Sequence, residues 1–79
     1  MNRKGRKCIN TVLDKLEELR ETLADLHEKE EQTLDNIPYN LKESILGERV
    51  ADKILKLEDA CNAVGEAYDV VEQVLNDDL

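Results

Sequence analysis

The sequence contains very few aromatic residues and few of the residues that build metal or disulfide sites. It has no Trp, no Phe and two Tyr, so large rings cannot supply a core. Two Cys and one His leave little material for a metal centre or a disulfide framework. No stretch approaches the roughly 18 consecutive apolar residues of a membrane span, and no signal peptide is recognisable. We therefore expect a cytoplasmic protein with reduced thiols, no cofactor and no membrane partner.

Charge is abundant and unevenly distributed. Charged residues make up 38% of the chain, and the formal net charge is −8. The cations at the start of the chain, which we call the basic arm, are Arg3, Lys4, Arg6 and Lys7. The remaining chain is strongly acidic, which disfavours direct binding of nucleic acid or anionic membranes by the body of the protein. The basic arm alone could hold a phosphate group.

Apolar residues recur at alternating spacings of three and four in two segments, which is typical of packed helices. In the first segment they are Ile9, Val12, Leu16, Leu19, Leu23 and Leu26. In the second they are Val50, Ile54, Leu57, Cys61, Val64, Tyr68, Val71 and Leu75. We call each stripe the seam of its helix. The pattern predicts helices over about residues 6–35 and 44–77, with a connector at about 36–43. Pro38 ends the first helix, and Ser44 is the expected N-cap of the second.

The 79 residues are thus expected to form one all-α domain, an antiparallel helical hairpin. Matching the seams about the connector makes facing residue numbers add to about 80, which places Leu19 opposite Cys61. A hairpin of this size leaves the apolar residues beside its seams uncovered. We therefore expect a homo-oligomer, most simply a homodimer that forms a four-helix bundle. The expected interface residues are Leu13, Ala60, Ala63, Ala67 and Val74.

Residues 59–69, DACNAVGEAYD, are unusually small for this chain. Small residues on successive helical turns let a neighbouring backbone approach closely, although Gly65 inside a helix costs about 1 kcal/mol relative to Ala. One interpretation is tight packing by a partner helix. The other is a pocket for a small ligand between helices.

Candidate catalytic groups do not form a recognisable arrangement. Glu17, Glu18 and Glu21 resemble the carboxylate clusters that hold Mg²⁺ in some all-α hydrolases, but the predicted seam points them outward. His27 has no metal-binding partner on its helix and is expected to pair with Glu31. Cys8 lies beside basic residues without an identifiable general base. The chain also lacks a Gly-rich phosphate loop and zinc-type spacing. We expect no catalytic residue, no metal site and no enzymatic activity.

The connector reads LDNIPYNLKES. Set between two acidic helices and preceded by a basic start, it resembles a group of small acidic two-helix proteins of Gram-positive bacteria and their phages. Their connector runs Leu-Asp-Asn-Ile-Pro-x-Asn-Leu-x-x-Ser. This chain departs from the group at Tyr39, which is often acidic there, and at Lys42 and Glu43, often Gln-Gly. The resemblance implies a helical hairpin and a mobile-element setting, and it implies no particular activity.

Three functions are consistent with these observations. The first is a non-enzymatic oligomeric binding protein, a phage or mobile-element accessory factor that inhibits or captures a host protein. The second is an acidic mimic of nucleic acid, with rows such as Glu17, Glu21 and Glu28 imitating phosphates. The third is a sponge for a small anionic signalling nucleotide. Its candidate ligand-binding residues are Arg3, Lys4, Arg6, Lys7, Tyr39 and Asn40, which would converge in an antiparallel dimer. The basic arm could instead neutralise Asp77 and Asp78 within one hairpin.

Overall fold

The computed structural model describes residues 1–77, and all the regular secondary structure within them is helical. Helix α1 spans Arg3–Asn36 and helix α2 spans Ile45–Asn76, with a 3₁₀ turn at Tyr39–Leu41 between them. The two helices pack against each other along their length. The predicted all-α, two-helix architecture is confirmed over these residues. Asp78 and Leu79 lie outside the described residues, so the expected pairing of the basic arm with Asp78 does too.

Side-chain caps define where both helices begin. The Asn2 carboxamide oxygen accepts a hydrogen bond from the backbone N–H of Gly5 at 2.8 Å, so α1 starts at Arg3 and the basic arm is helical. The predicted start near residue 6 is therefore wrong. The predicted cap at Ser44 is confirmed, because its hydroxyl oxygen accepts from the N–H of Gly47 at 3.4 Å. The same hydroxyl donates to the carbonyl oxygen of Leu41.

The connector closes tightly around Gly47. Ile37 leaves the helical region at φ −72°, ψ 129°, as expected for the residue before Pro38. The backbone of Lys42 then passes so close to α2 that a Cβ built on Gly47 would overlap the Lys42 carbonyl oxygen and lie 2.6 Å from its carbonyl carbon. Glycine is needed at this position for space.

The predicted seam of α2 is confirmed, since its members are buried or half-buried, with Val50 5% exposed. The predicted seam of α1 is right at Ile9, Leu16 and Leu23, which are half-buried, and wrong at Val12, Leu19 and Leu26, which are exposed. Leu13 is buried instead, at 7% exposure. The residues that are buried or half-buried at seam spacing are Ile9, Leu13, Leu16, Leu23, His27, Glu30, Leu34 and the C-cap residue Ile37.

The thin core leaves an extended molecule. Only Leu13, Ile37 and Val50 are buried apolar residues among those described. The accessible surface is 6267 Å² for a 9.0 kDa chain, against about 4,900 Å² for a compact monomer of that mass. The radius of gyration is 17.8 Å, against about 12 Å for a compact domain of this length. Neither described helix is long and apolar enough to cross a membrane.

Candidate functional site

One side of the hairpin carries several apolar residues, most of them exposed, on both helices. Val12, Leu19 and Leu26 each stand one position before a residue that faces α2, and they repeat every seven residues along α1. In an antiparallel helix pair, the positions just before the seam of each helix lie on the same side. The corresponding residues of α2 are basic from Arg49 to Lys56 and small or aliphatic from Ala60 onward. We call the combined set the apolar face: Val12, Leu19, Leu26, Ala60, Ala63, Ala67, Val70 and Val74.

The apolar face has a ridge on one helix and a trough on the other. Leu19, 53% exposed, and Leu26 project from α1, whereas the neighbouring stretch of α2 offers only alanine methyl groups. Toward the connector, Leu26, Lys53 and Lys56 line an open groove of about 450 Å³ together with Glu30 and Leu57. This groove confirms that the exposed residues of α1 and the lysines of α2 share one side.

The opposite side of the hairpin is acidic. Its exposed or half-exposed carboxylates, which we call the acidic face, are Asp14, Glu17, Glu21, Glu28, Glu31, Glu48, Glu58, Asp69 and Glu72. An open groove of about 560 Å³ lies on this side and is lined by Arg20, Ala24, Cys61, Asn62, Gly65, Glu66 and Asp69. Arg20 lies at a position facing α2, and its Nη1 is the atom nearest to a Cβ built on Gly65, at 3.7 Å.

The small residues of the segment 59–69 lie on two different sides of α2. Cys61 and Gly65 share the groove on the acidic side with Arg20 and Ala24 of the same chain. The expected pairing of Leu19 with Cys61 is wrong, because Leu19 is exposed and the α1 residues that share a groove with Cys61 are Arg20 and Ala24. Sequence reasoning missed Arg20, because a charged residue gave no signal that it faces α2. The alanines of the segment lie on the other, apolar side.

The predicted interface residues separate into two groups. Ala60, Ala63, Ala67 and Val74 belong to the apolar face, where Val74 is exposed. Leu13 is instead buried between α1 and α2, so it contributes to the contact within one chain and not to an exposed surface.

The candidate ligand-binding residues lie at the two ends of α1. Arg3, Lys4, Arg6 and Lys7 form its first turns, and Tyr39 and Asn40 lie in the connector. The 34 residues of α1 separate the groups by about 50 Å at 1.5 Å per residue. Tyr39 is 91% exposed, and with Asn40, Lys42 and Glu43 it lines a groove of about 280 Å³. A single chain does not bring the cations and the ring together.

His27 is the most constrained ionisable side chain of the α1 seam. The predicted pair with Glu31 is confirmed, with 2.8 Å between His27 Nδ1 and a Glu31 carboxylate oxygen. The other ring nitrogen, Nε2, is buried and has no hydrogen-bond partner. A half-buried imidazole at this position weakens the contact between the helices and supplies no catalytic geometry.

The residues that could do chemistry are dispersed. Within residues 1–77, no group of three or more His, Cys, Asp or Glu side chains converges as a metal site would require. Cys8 and Cys61 are free thiols, the former exposed. The described chain thus presents two long sides of different character, one apolar with basic edges and one acidic.

Comparison of the chain with protein-family models, with curated proteins and with solved structures gives no match. The family resemblance of the connector therefore stays a prediction, and the surfaces themselves carry the functional argument.

Proposed function

We propose that this protein is a non-enzymatic, oligomeric binding protein that captures a host protein, and that the acidic face makes the contact. The observation that carries the proposal is the segregation of charge along the hairpin. The positions that stand one before the inward-facing residues of each helix contain no carboxylate. In α1 they are Cys8, Val12, Lys15, Leu19, Thr22, Leu26, Lys29 and Thr33, and in α2 they are Leu46, Arg49, Lys53, Lys56, Ala60, Ala63, Ala67, Val70 and Val74. The acidic face concentrates carboxylates on the opposite side. The resemblance of the connector supports a phage or mobile-element setting.

The acidic face suits a partner with a basic surface. Carboxylates from both helices line a face that extends along most of the 59 Å length of the molecule, so their potentials add along an extended strip. Complementary charge of this kind raises association rates and excludes acidic partners. The open groove of about 560 Å³ at Gly65 lies within the face and has room for a side chain of the partner.

Capture from host lysate by immobilised protein, compared between two matched variants, tests the proposal. The first variant removes three charges from the acidic face with Glu17→Gln, Glu21→Gln and Glu28→Gln. The control removes the same number elsewhere with Glu18→Gln, Asp25→Asn and Asp59→Asn. We expect a specific host protein to be retained by the native chain and the control and lost by the first variant. Recovery of no host protein from several hosts, or equal retention by both variants, would contradict the proposal.

A nucleic-acid mimic is a second candidate that the same acidic face supports. Such a mimic occupies the DNA-binding surface of its partner, so it must compete with DNA, and the competition must weaken as salt screens the charges. Competition assays at two ionic strengths with the captured partner distinguish this version from capture at another surface.

The nucleotide sponge would need a second copy to close its site. The basic arm and Tyr39 lie at opposite ends of one chain, so only an antiparallel dimer could bring them together. Calorimetry against cyclic and ADP-ribose-type nucleotides, with Tyr39→Ala and Arg6→Glu as variants, tests this alternative.

A further inference from the structure

The hairpin as a whole exposes more surface than a compact monomer of this size. The chain has 6267 Å² of accessible surface, an excess on the order of 1,400 Å² over a compact protein of equal mass. A stable protein complex buries about 800 Å² on each partner. One long side of the molecule, 59 Å by 15 Å, is large enough to supply that area.

The shape of the apolar face is complementary to the same face on a second copy of the chain. Leu19 and Leu26 form a ridge on α1, and Ala60, Ala63 and Ala67 form a trough on α2 of the same face. A two-fold axis parallel to the helices places the ridge of each copy on the trough of the other. A two-fold axis across the helices would set leucines on leucines and alanines on alanines, and the two hairpins would then splay apart.

We propose that the apolar face is the contact surface between two copies of this chain, with both connectors at the same end and the leucine ridge of each copy on the alanine trough of the other. The result is a four-helix bundle whose two acidic faces point in opposite directions. The inference specifies the oligomer of the proposed function. Its tests use the purified protein alone, so their outcome does not depend on whether a host protein is captured.

Sedimentation of two leucine variants tests the interface. Leu19 lies on the apolar face, and Leu55, 61% exposed, lies away from it, so Leu19→Glu and Leu55→Glu are matched in residue type, exposure and charge change. We expect the native protein to be a dimer. Leu19→Glu should raise the dissociation constant at least 30-fold, because each of the two copies loses the burial of one leucine side chain at the interface. Leu55→Glu should leave it within about threefold. A monomeric native protein at tens of micromolar, or equal effects of the two variants, would overturn the proposal.

Distances between spin labels at Asn40 test the orientation. The label is placed by Asn40→Cys in a chain with Cys8→Ser and Cys61→Ala, after sedimentation has shown that this chain still dimerises. With both connectors at one end, the two labels lie within about 35 Å, the width of a four-helix bundle plus the label arms. A distance above about 50 Å would refute the orientation.

Discussion

The two helical glycines of α2 should respond in opposite directions to the same substitution. Gly65 lies in the interior of α2, and a Cβ added there would meet only Arg20 Nη1 at 3.7 Å, an ordinary van der Waals distance. Alanine is favoured over glycine in a helix interior by about 1 kcal/mol. Gly65→Ala should therefore stabilise the protein by about 1 kcal/mol.

Gly47→Ala should instead destabilise the protein. The new Cβ would overlap the carbonyl oxygen of Lys42 and lie 2.6 Å from its carbonyl carbon, and a backbone cannot move aside as a flexible side chain can. Forcing an extra methyl group into a packed site costs about 1–3 kcal/mol. Relief of this overlap would also displace the cap at Ser44, so we expect a net loss of about 2 kcal/mol.

Urea unfolding followed by helical circular dichroism measures both effects. The variants are compared with the native chain at one protein concentration, because the stability of an associating protein depends on concentration. Their free energies of unfolding should differ by about 3 kcal/mol. Destabilisation by Gly65→Ala would mean that a backbone, and not the Arg20 side chain, occupies the space beside Gly65. A neutral Gly47→Ala would refute the close approach of the connector.

Three further substitutions test the seam of α1 and the N-cap of α2. His27→Leu should stabilise the hairpin by about 1–2 kcal/mol, because it removes the unpartnered Nε2 and adds apolar contact; in thermal unfolding, the midpoint should rise by roughly 5–10 °C. Glu31→Gln, which removes only the pair with His27, should change stability by less than about 0.5 kcal/mol, and a larger loss would assign the effect to the ion pair. Ser44→Ala removes the cap of α2 and should lower the free energy of urea unfolding by about 1 kcal/mol, whereas an unchanged value would mean that Gly47 N–H finds another acceptor.

The features that the sequence predicts correctly rest on local chemistry. Pro38 and Ser44 act through their own backbone and side-chain geometry, so the end of α1 and the start of α2 follow from residue type. The seam of α2 could be predicted because its eight members follow one heptad spacing and no other stripe of α2 is as apolar. The pairing of His27 with Glu31 follows from helical spacing alone.

The side of α1 that faces α2 could not be predicted, because two stripes of apolar residues lie next to each other on this helix. The stripe through Val12, Leu19 and Leu26 is more apolar, but it does not include Leu34. Leu34 and Ile37 are held next to α2 by the short connector, and from there the helix repeat brings Leu13 inward. The closure of the connector is a tertiary constraint, so it outweighs the local pattern. The position of Arg20 beside Gly65 follows from the same shift.

The phase of α1 gives a further argument for the proposed contact between two copies at the apolar face. A hairpin that functioned alone would gain stability from leucine at positions 20, 27 and 30, yet these carry Arg, His and Glu, while Val12, Leu19 and Leu26 face away from α2. Each helix thus has two apolar stripes about a quarter turn apart, the geometry of a helix with two neighbours in a four-helix bundle. His27→Leu should then strengthen the hairpin without changing the dimer dissociation constant, whereas Leu19→Glu should weaken the dimer while an isolated hairpin retains its helicity. If His27→Leu and Leu19→Glu each changed both the stability of the hairpin and the dimer dissociation constant, the two stripes would not be separate contact surfaces. The case for a second copy on the apolar face would then be lost.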